Sequence, residues 1–150
     1  MSVENKAIIR RLYEEFWNKR NLKLADEIIS PSHALYEPLA ADSKIGPKAY
    51  RATAERFHAG LHDLHFGIQD LISEQNKVVA VWVLSGTHQG EFLGLPPTNK
   101  KVSIEGITIH QIENGKIFDS HASWDTLGLM RQLGGEAPRK QNAAGGAHGS

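Results

Sequence analysis

The spacing of apolar positions divides the chain into a helical front part and a strand-forming back part. Between Val3 and Arg20, Ile8, Ile9, Leu12, Tyr13, Phe16 and Trp17 recur at helical spacing with charges opposite, which predicts an amphipathic helix. Asn21 and the Leu22-Lys23 step interrupt it. Leu24, Ala25, Ile28 and Ile29 then predict a short second helix that stops before Pro31. His33 to Pro38 (HALYEP) reads as a brief extended segment. Gly46-Pro47, with proline in the first turn, opens a third helix that presents Tyr50, Ala54, Phe57 and Leu61 along one stripe.

Beyond Leu61 the period changes. Leu64, Phe66 and Ile68 alternate with His65, Gly67 and Gln69, the pattern of a half-buried strand. Glu74-Gln75-Asn76 is a turn, and the nearly unbroken apolar run from Val78 to Thr87 predicts a strand buried on both faces. Phe92 to Pro97 holds two prolines and reads as a shaped loop. On the next strand Val102, Ile104, Gly106, Thr108 and His110 share one facing, and Glu105, Ile107, Ile109 and Gln111 the other. Glu113-Asn114-Gly115-Lys116 is a hairpin signal leading into a last strand, Ile117 to Trp124. Asp125 caps a closing helix through Leu133, which Gly134 and Gly135 end. The expected organisation is one domain over 1–134 and a disordered tail over 135–150, which is small, polar and aperiodic. Three helices, an antiparallel meander and a short helix predict an α+β fold. The helices pack on the concave face of a curved sheet, leaving an open-ended cone.

Composition narrows the partners. Lys+Arg and Asp+Glu number 17 each, so a formal net charge of +0 offers no electrostatic footprint for nucleic acid or an anionic membrane. The chain has no cysteine, which excludes disulfides, thiol nucleophiles and thiolate zinc sites. MSVENK is followed by no apolar leader core, and no run reaches the length of a membrane span, so the expected location is cytoplasmic. Val79, Val81, Val83, Ile107 and Ile109 would give the outer sheet face more apolar area than a monomer leaves exposed, which predicts a homodimer.

Several stretches carry a family resemblance. They are Gly46-Pro47, Gly86-Thr87-His88 with Gly90, Phe92 to Thr98, Glu113 to Ile117, Trp124-Asp125, and Gly128 to Gly134. Over about residues 4 to 134 the chain resembles the SnoaL-like polyketide cyclases (ester cyclases), a branch of the NTF2-like superfamily. The resemblance implies a cone-shaped α+β barrel with a hydrophobic pocket, and acid/base catalysis on a small carbonyl compound without metal or organic cofactor. Such an enzyme removes a proton beside a carbonyl, stabilises the enolate, and lets it close a ring on a second carbonyl. It also implies an acid/base Asp on the last strand and a His across from it. Anchored on Gly115-Lys116-Ile117 and Gly128, those positions hold Ala122 and Thr108.

The neighbouring polar groups are therefore the catalytic candidates. His110 shares the facing of Thr108, Asp125 stands at the end of the last strand, and Tyr36 offers a phenol ahead of Glu37-Pro38. Trp17, Trp82, Thr108, Ser120, Ala122, Trp124 and His88 are the expected substrate-binding set. Asp119 and His121 have the opposite facing on the last strand. His58, His62 and His65 have a spacing that can hold a metal, but no carboxylate completes a metalloprotease pattern, and no metal site is expected. There is neither a phosphate-cradling glycine loop nor a serine nucleophile elbow. Three functions fit: a cyclase-like enzyme acting on a small molecule, a protein that binds such a molecule without chemistry, and an isomerase or hydrolase on the same cone.

Overall fold

The alternation along the back part of the chain becomes four strands of a six-stranded sheet, and the front part supplies the other two and the helices that cover one face. The computed structural model describes residues 2–38 and 44–134; the tail expected over 135–150 lies outside them. Helix α1 (Ser2–Arg11) continues into a π-helical segment (Leu12–Asn18). A 3₁₀ turn (Leu22–Leu24) and α2 (Ala25–Ile28) lead into β1 (Ile29–Tyr36) and the short β2 (Lys44–Ile45). Helix α3 (Gly46–Gly60) is followed by β3 (His65–Glu74), β4 (Lys77–Thr87), β5 (Lys101–Glu113), β6 (Lys116–Trp124) and α4 (Thr126–Gln132). Spatial strand order is β2-β1-β6-β5-β4-β3. All neighbours are antiparallel except β1 and β6, which run parallel.

Three local departures from regular geometry shape the interior. The first helix keeps its expected extent but changes winding. In the π segment, Leu12 and Tyr13 and then Phe16 and Trp17 are all buried. The wider turn lets two adjacent pairs of bulky side chains face the sheet, where an α-helix would rotate one of each pair aside. The second departure is in β6. Gln111 pairs with Asp119 but Ile112 with Ile117, so Phe118 is an extra residue. That bulge reverses the strand's phase, and Ile117 and Ser120 both face inward.

The third is in β1, which starts at Ile29, four residues earlier than the extended segment read from His33. Its register with β6 shifts between Ile29 and Ala34. Pro31 falls within that shift, where its missing N–H costs no ladder bond. Beyond it His33 and Leu35 are buried while Tyr36 is exposed.

The helical layer packs on the sheet, with the first helix and π segment over β3 and β4 and α3 over β1. On β5 the facings follow the alternation, with Val102, Ile104, Thr108 and His110 buried. Gly106 belongs to this face for a steric reason: a Cβ there would lie 2.3 Å from the Trp82 ring. Strand β4 is buried on one face only. Trp82 and Leu84 point inward, whereas Val79, Val81 and Val83 are half-buried on the outer face. Asn114 and Gly115 take φ of 54° and 77°, the doubly left-handed turn that joins two twisted strands. Among the described residues no helix is long and apolar enough to cross a membrane.

Candidate active site

Between the helices and the concave face lies a pocket with about 570 Å³ of empty space, its open mouth included. The π segment contributes Tyr13 and Trp17, and α3 contributes Tyr50, Thr53 and Phe57. From β3 and β4 come Phe66, Trp82 and Leu84, and from β5 Thr108 and His110. Ser120, Ala122 and Trp124 of β6 and Leu35 and Glu37 complete the wall. Inward facings on neighbouring strands thus converge because the Phe118 bulge brings β6 into phase with β5.

The polar groups of this wall form a hydrogen-bonded pair and a longer chain. Trp82 Nε1 donates to Thr108 Oγ1 at 3.0 Å. Tyr13 Oη lies 2.9 Å from His110 Nε2, His110 Nδ1 2.7 Å from Ser120 Oγ, and Ser120 Oγ 3.0 Å from His33 Nε2. An indole can only donate, so Thr108 accepts from it and keeps its own proton.

The remaining protons have two orders. If Tyr13 donates to His110, the chain ends in a buried His33 Nδ1–H, and that atom has no partner. If instead His33 donates to Ser120, Ser120 to His110 Nδ1 and His110 Nε2 to Tyr13, the unpartnered atom is a bare acceptor. An orphaned buried N–H is the rarer and costlier defect, which favours the second order. In it the Tyr13 oxygen accepts from His110 and its own proton is left for the pocket.

Burial keeps the whole chain neutral. It pushes the His110 imidazole down to about 3, with the nearby His33 adding to the effect, and His33 down to about 4. The Tyr13 and Tyr50 phenols are pushed upward by the same desolvation. Trp17 Nε1 donates to Tyr50 Oη at 3.1 Å, which orients that second phenol.

Trp17, Trp82, Thr108, His110, Ser120, Ala122 and Trp124 all line the pocket. Three expected site residues do not. Asp125 is exposed, and its carboxylate accepts from the Gly128 backbone N–H at 2.8 Å, so it is the N-cap of α4 and not a pocket acid. Tyr36 faces the opposite side of β1 from Leu35, 44% exposed, and stacks on His121 with ring centroids 4.3 Å apart. His88 is wholly buried but lies outside the pocket wall. Its Nδ1 meets Thr98 Oγ1 at 3.0 Å, and its backbone joins Asn99 and Lys100, which organises the loop after β4.

The histidine triplet is not gathered either. His58 Nε2 donates to the Trp17 carbonyl, and among the described residues no group of three His, Asp or Glu side chains is placed to hold a metal. Sequence reasoning missed His33, Tyr13 and Glu37. Tyr13 was legible only as core. The alternation His33, Leu35, Glu37 against Tyr36 was the available signal for the other two, had it been anchored on the apolar Leu35.

Fold and site together define an NTF2-like α+β cone whose pocket closes on a buried, neutral hydrogen-bond chain. A model of the SnoaL-like polyketide cyclases matches residues 7–133, and the chain belongs to that family. It is 34% identical over 115 residues to the nogalonic acid methyl ester cyclase of Streptomyces nogalater, covering 75% of this chain and 85% of that protein. The aklanonic acid methyl ester cyclase DauD of Streptomyces sp. (strain C5) is 31% identical over 134 residues, 85% of this chain and 80% of that one. Among solved structures, a SnoaL-like protein from Jannaschia sp. CCS1 shares the fold with a TM-score of 0.82 at 21% identity, covering 88% of this chain and 92% of that one. TsrD from Streptomyces laurentii aligns with a TM-score of 0.79 at 28% identity, covering 89% and 97%.

Proposed function

We propose that the protein is a cofactor-independent cyclase that closes a carbon ring in a small, largely apolar carbonyl compound, an ester of the kind its curated relatives are named for. The observation that carries this reading is the Tyr13–His110–Ser120–His33 chain at the polar end of an otherwise aromatic and aliphatic pocket. Ring closure builds negative charge on a carbonyl oxygen as the neighbouring carbon loses its proton. A neutral phenol held by the His110 imidazole, in a pocket poor in competing polar groups, is suited to receive that charge. His110 acts here as the neutral donor that fixes Tyr13. Trp17, Trp82 and Trp124 supply flat apolar surface against which the substrate folds.

Nogalonic acid methyl ester is the probe. Its conversion to a product of unchanged mass and altered retention is the expected result. Tyr13→Phe and His110→Ala should lower kcat by about 100-fold or more, the usual loss when an oxyanion donor is removed. Tight binding with the ester recovered intact would point to a carrier and overturn the cyclase reading. We also propose that the protein works in the cytoplasm as a homodimer joined through the outer sheet face, which carries the exposed Ile107 and Ile109.

A further inference from the structure

Ring closure needs a group that takes the carbon-bound proton, and the chain at the pocket floor is poorly suited to do so. Both nitrogens of His110 are engaged by Tyr13 and Ser120, and the Ser120 hydroxyl spends its proton on His110. The pocket wall holds one other kind of group. Among the described residues that line it, Glu37 is the carboxylate.

Its position follows from strand register. β1 and β6 run parallel with Leu35 opposite Ser120 and Tyr36 opposite His121. Glu37 therefore comes one step past the last pair, level with Ala122, and Ala122 pairs in turn with Thr108 on β5. Leu35 and Glu37 both reach the pocket while Tyr36 between them faces out. Ala122 carries only a methyl group, so the space before it is open to a longer side chain from the adjacent strand. Two strand spacings, about 10 Å, separate the Glu37 backbone from that of Thr108.

We infer that Glu37 is the catalytic base of the ring closure, an inference that rests on the cyclase reading above. The Glu37 carboxylate takes the proton from the carbon beside the carbonyl. The electron pair of that C–H bond passes to the carbonyl oxygen, which Tyr13 stabilises. The enolate carbon then attacks the second carbonyl carbon, and the new C–C bond leaves an alkoxide, which recovers the proton from Glu37. Atoms and charge balance, the product is an isomer of the substrate, and the carboxylate is regenerated.

The test runs wild type and Glu37→Gln in D₂O with the same methyl ester, following ring closure and deuterium uptake at the α-carbon. Glu37→Gln should melt like wild type, keep its KM, and lose about 100-fold or more in kcat together with deuterium uptake. The double variant Glu37→Gln, Ala122→Asp returns a carboxylate to the same depth and should regain part of the uptake. Wild-type closure or uptake in Glu37→Gln would overturn the assignment and leave the cyclase reading standing. Glu37-dependent uptake without ring closure would support the base and overturn the cyclase reading. Neither ring closure nor uptake in wild type would overturn both.

Discussion

His33 and His110 reach the same Ser120 hydroxyl from opposite sides, and neither ring is exposed to solvent. Two neutral imidazoles held this way make the fold sensitive to acid. Their folded values, about 4 for His33 and about 3 for His110, lie below the ordinary 6.5 of a solvated imidazole. Above pH 6.5 both are neutral folded or unfolded and contribute no pH dependence. As pH falls below 6.5 the unfolded chain gains protons that the folded chain refuses, so stability declines, until about pH 4 for His33 and about pH 3 for His110. Each ring can cost up to about 1.4 kcal/mol per pH unit within its window. Urea unfolding at a series of pH values should show this slope, and His33→Asn should flatten it between pH 6.5 and 4. Equal slopes in the two proteins would contradict the linkage. The neutrality that creates the weakness is also what lets His110 accept from Ser120 while it donates to Tyr13.

At the scale of elements, what was legible in the sequence depended on regular periodicity. The five inward positions of β5, the Asn114-Gly115 hairpin and the start of α3 at Gly46-Pro47 follow from local pattern, and each occupies its expected place. In the chain His33–Ser120–His110–Tyr13, strand alternation made His110 and Ser120 legible, but His33 and Tyr13 depend on breaks in period. The irregular stretch around Pro31 precedes His33, and π winding aims Tyr13. Asp125 carries two readings in the sequence: an acid at a strand end can serve a pocket or the next helix, and only geometry separates the two. Since its carboxylate caps Gly128, Asp125→Ala should lower stability by about 1 kcal/mol in denaturant unfolding while kcat stays at the wild-type value. A loss of turnover with unchanged stability would return Asp125 to the catalytic set.

The whole molecule presents two unlike faces of one sheet. The concave face is occupied by helices and pocket. The other carries Ile107 at 48% and Ile109 at 41% exposure, beside half-buried Val79, Val81 and Val83 on β4. These residues are contiguous because β4 and β5 pair along their length, with Val79 opposite Ile109 and Val81 opposite Ile107. A ladder of apolar cross-strand pairs open to water favours a partner, and a net charge of +0 offers little repulsion against a second copy of the chain. Covering this face would leave the pocket mouth untouched, since its lining residues point the other way. Light scattering at micromolar concentration should therefore give twice the 16.6 kDa of one chain. Ile109→Lys should reduce that to a single chain, because opposing copies would each bury an unpaired ammonium. If the pocket is built within each chain, the monomeric variant should retain wild-type kcat once its melting temperature is matched by cooling. A wild-type protein that scatters as one chain would remove the dimer and leave the apolar ladder as exposed surface.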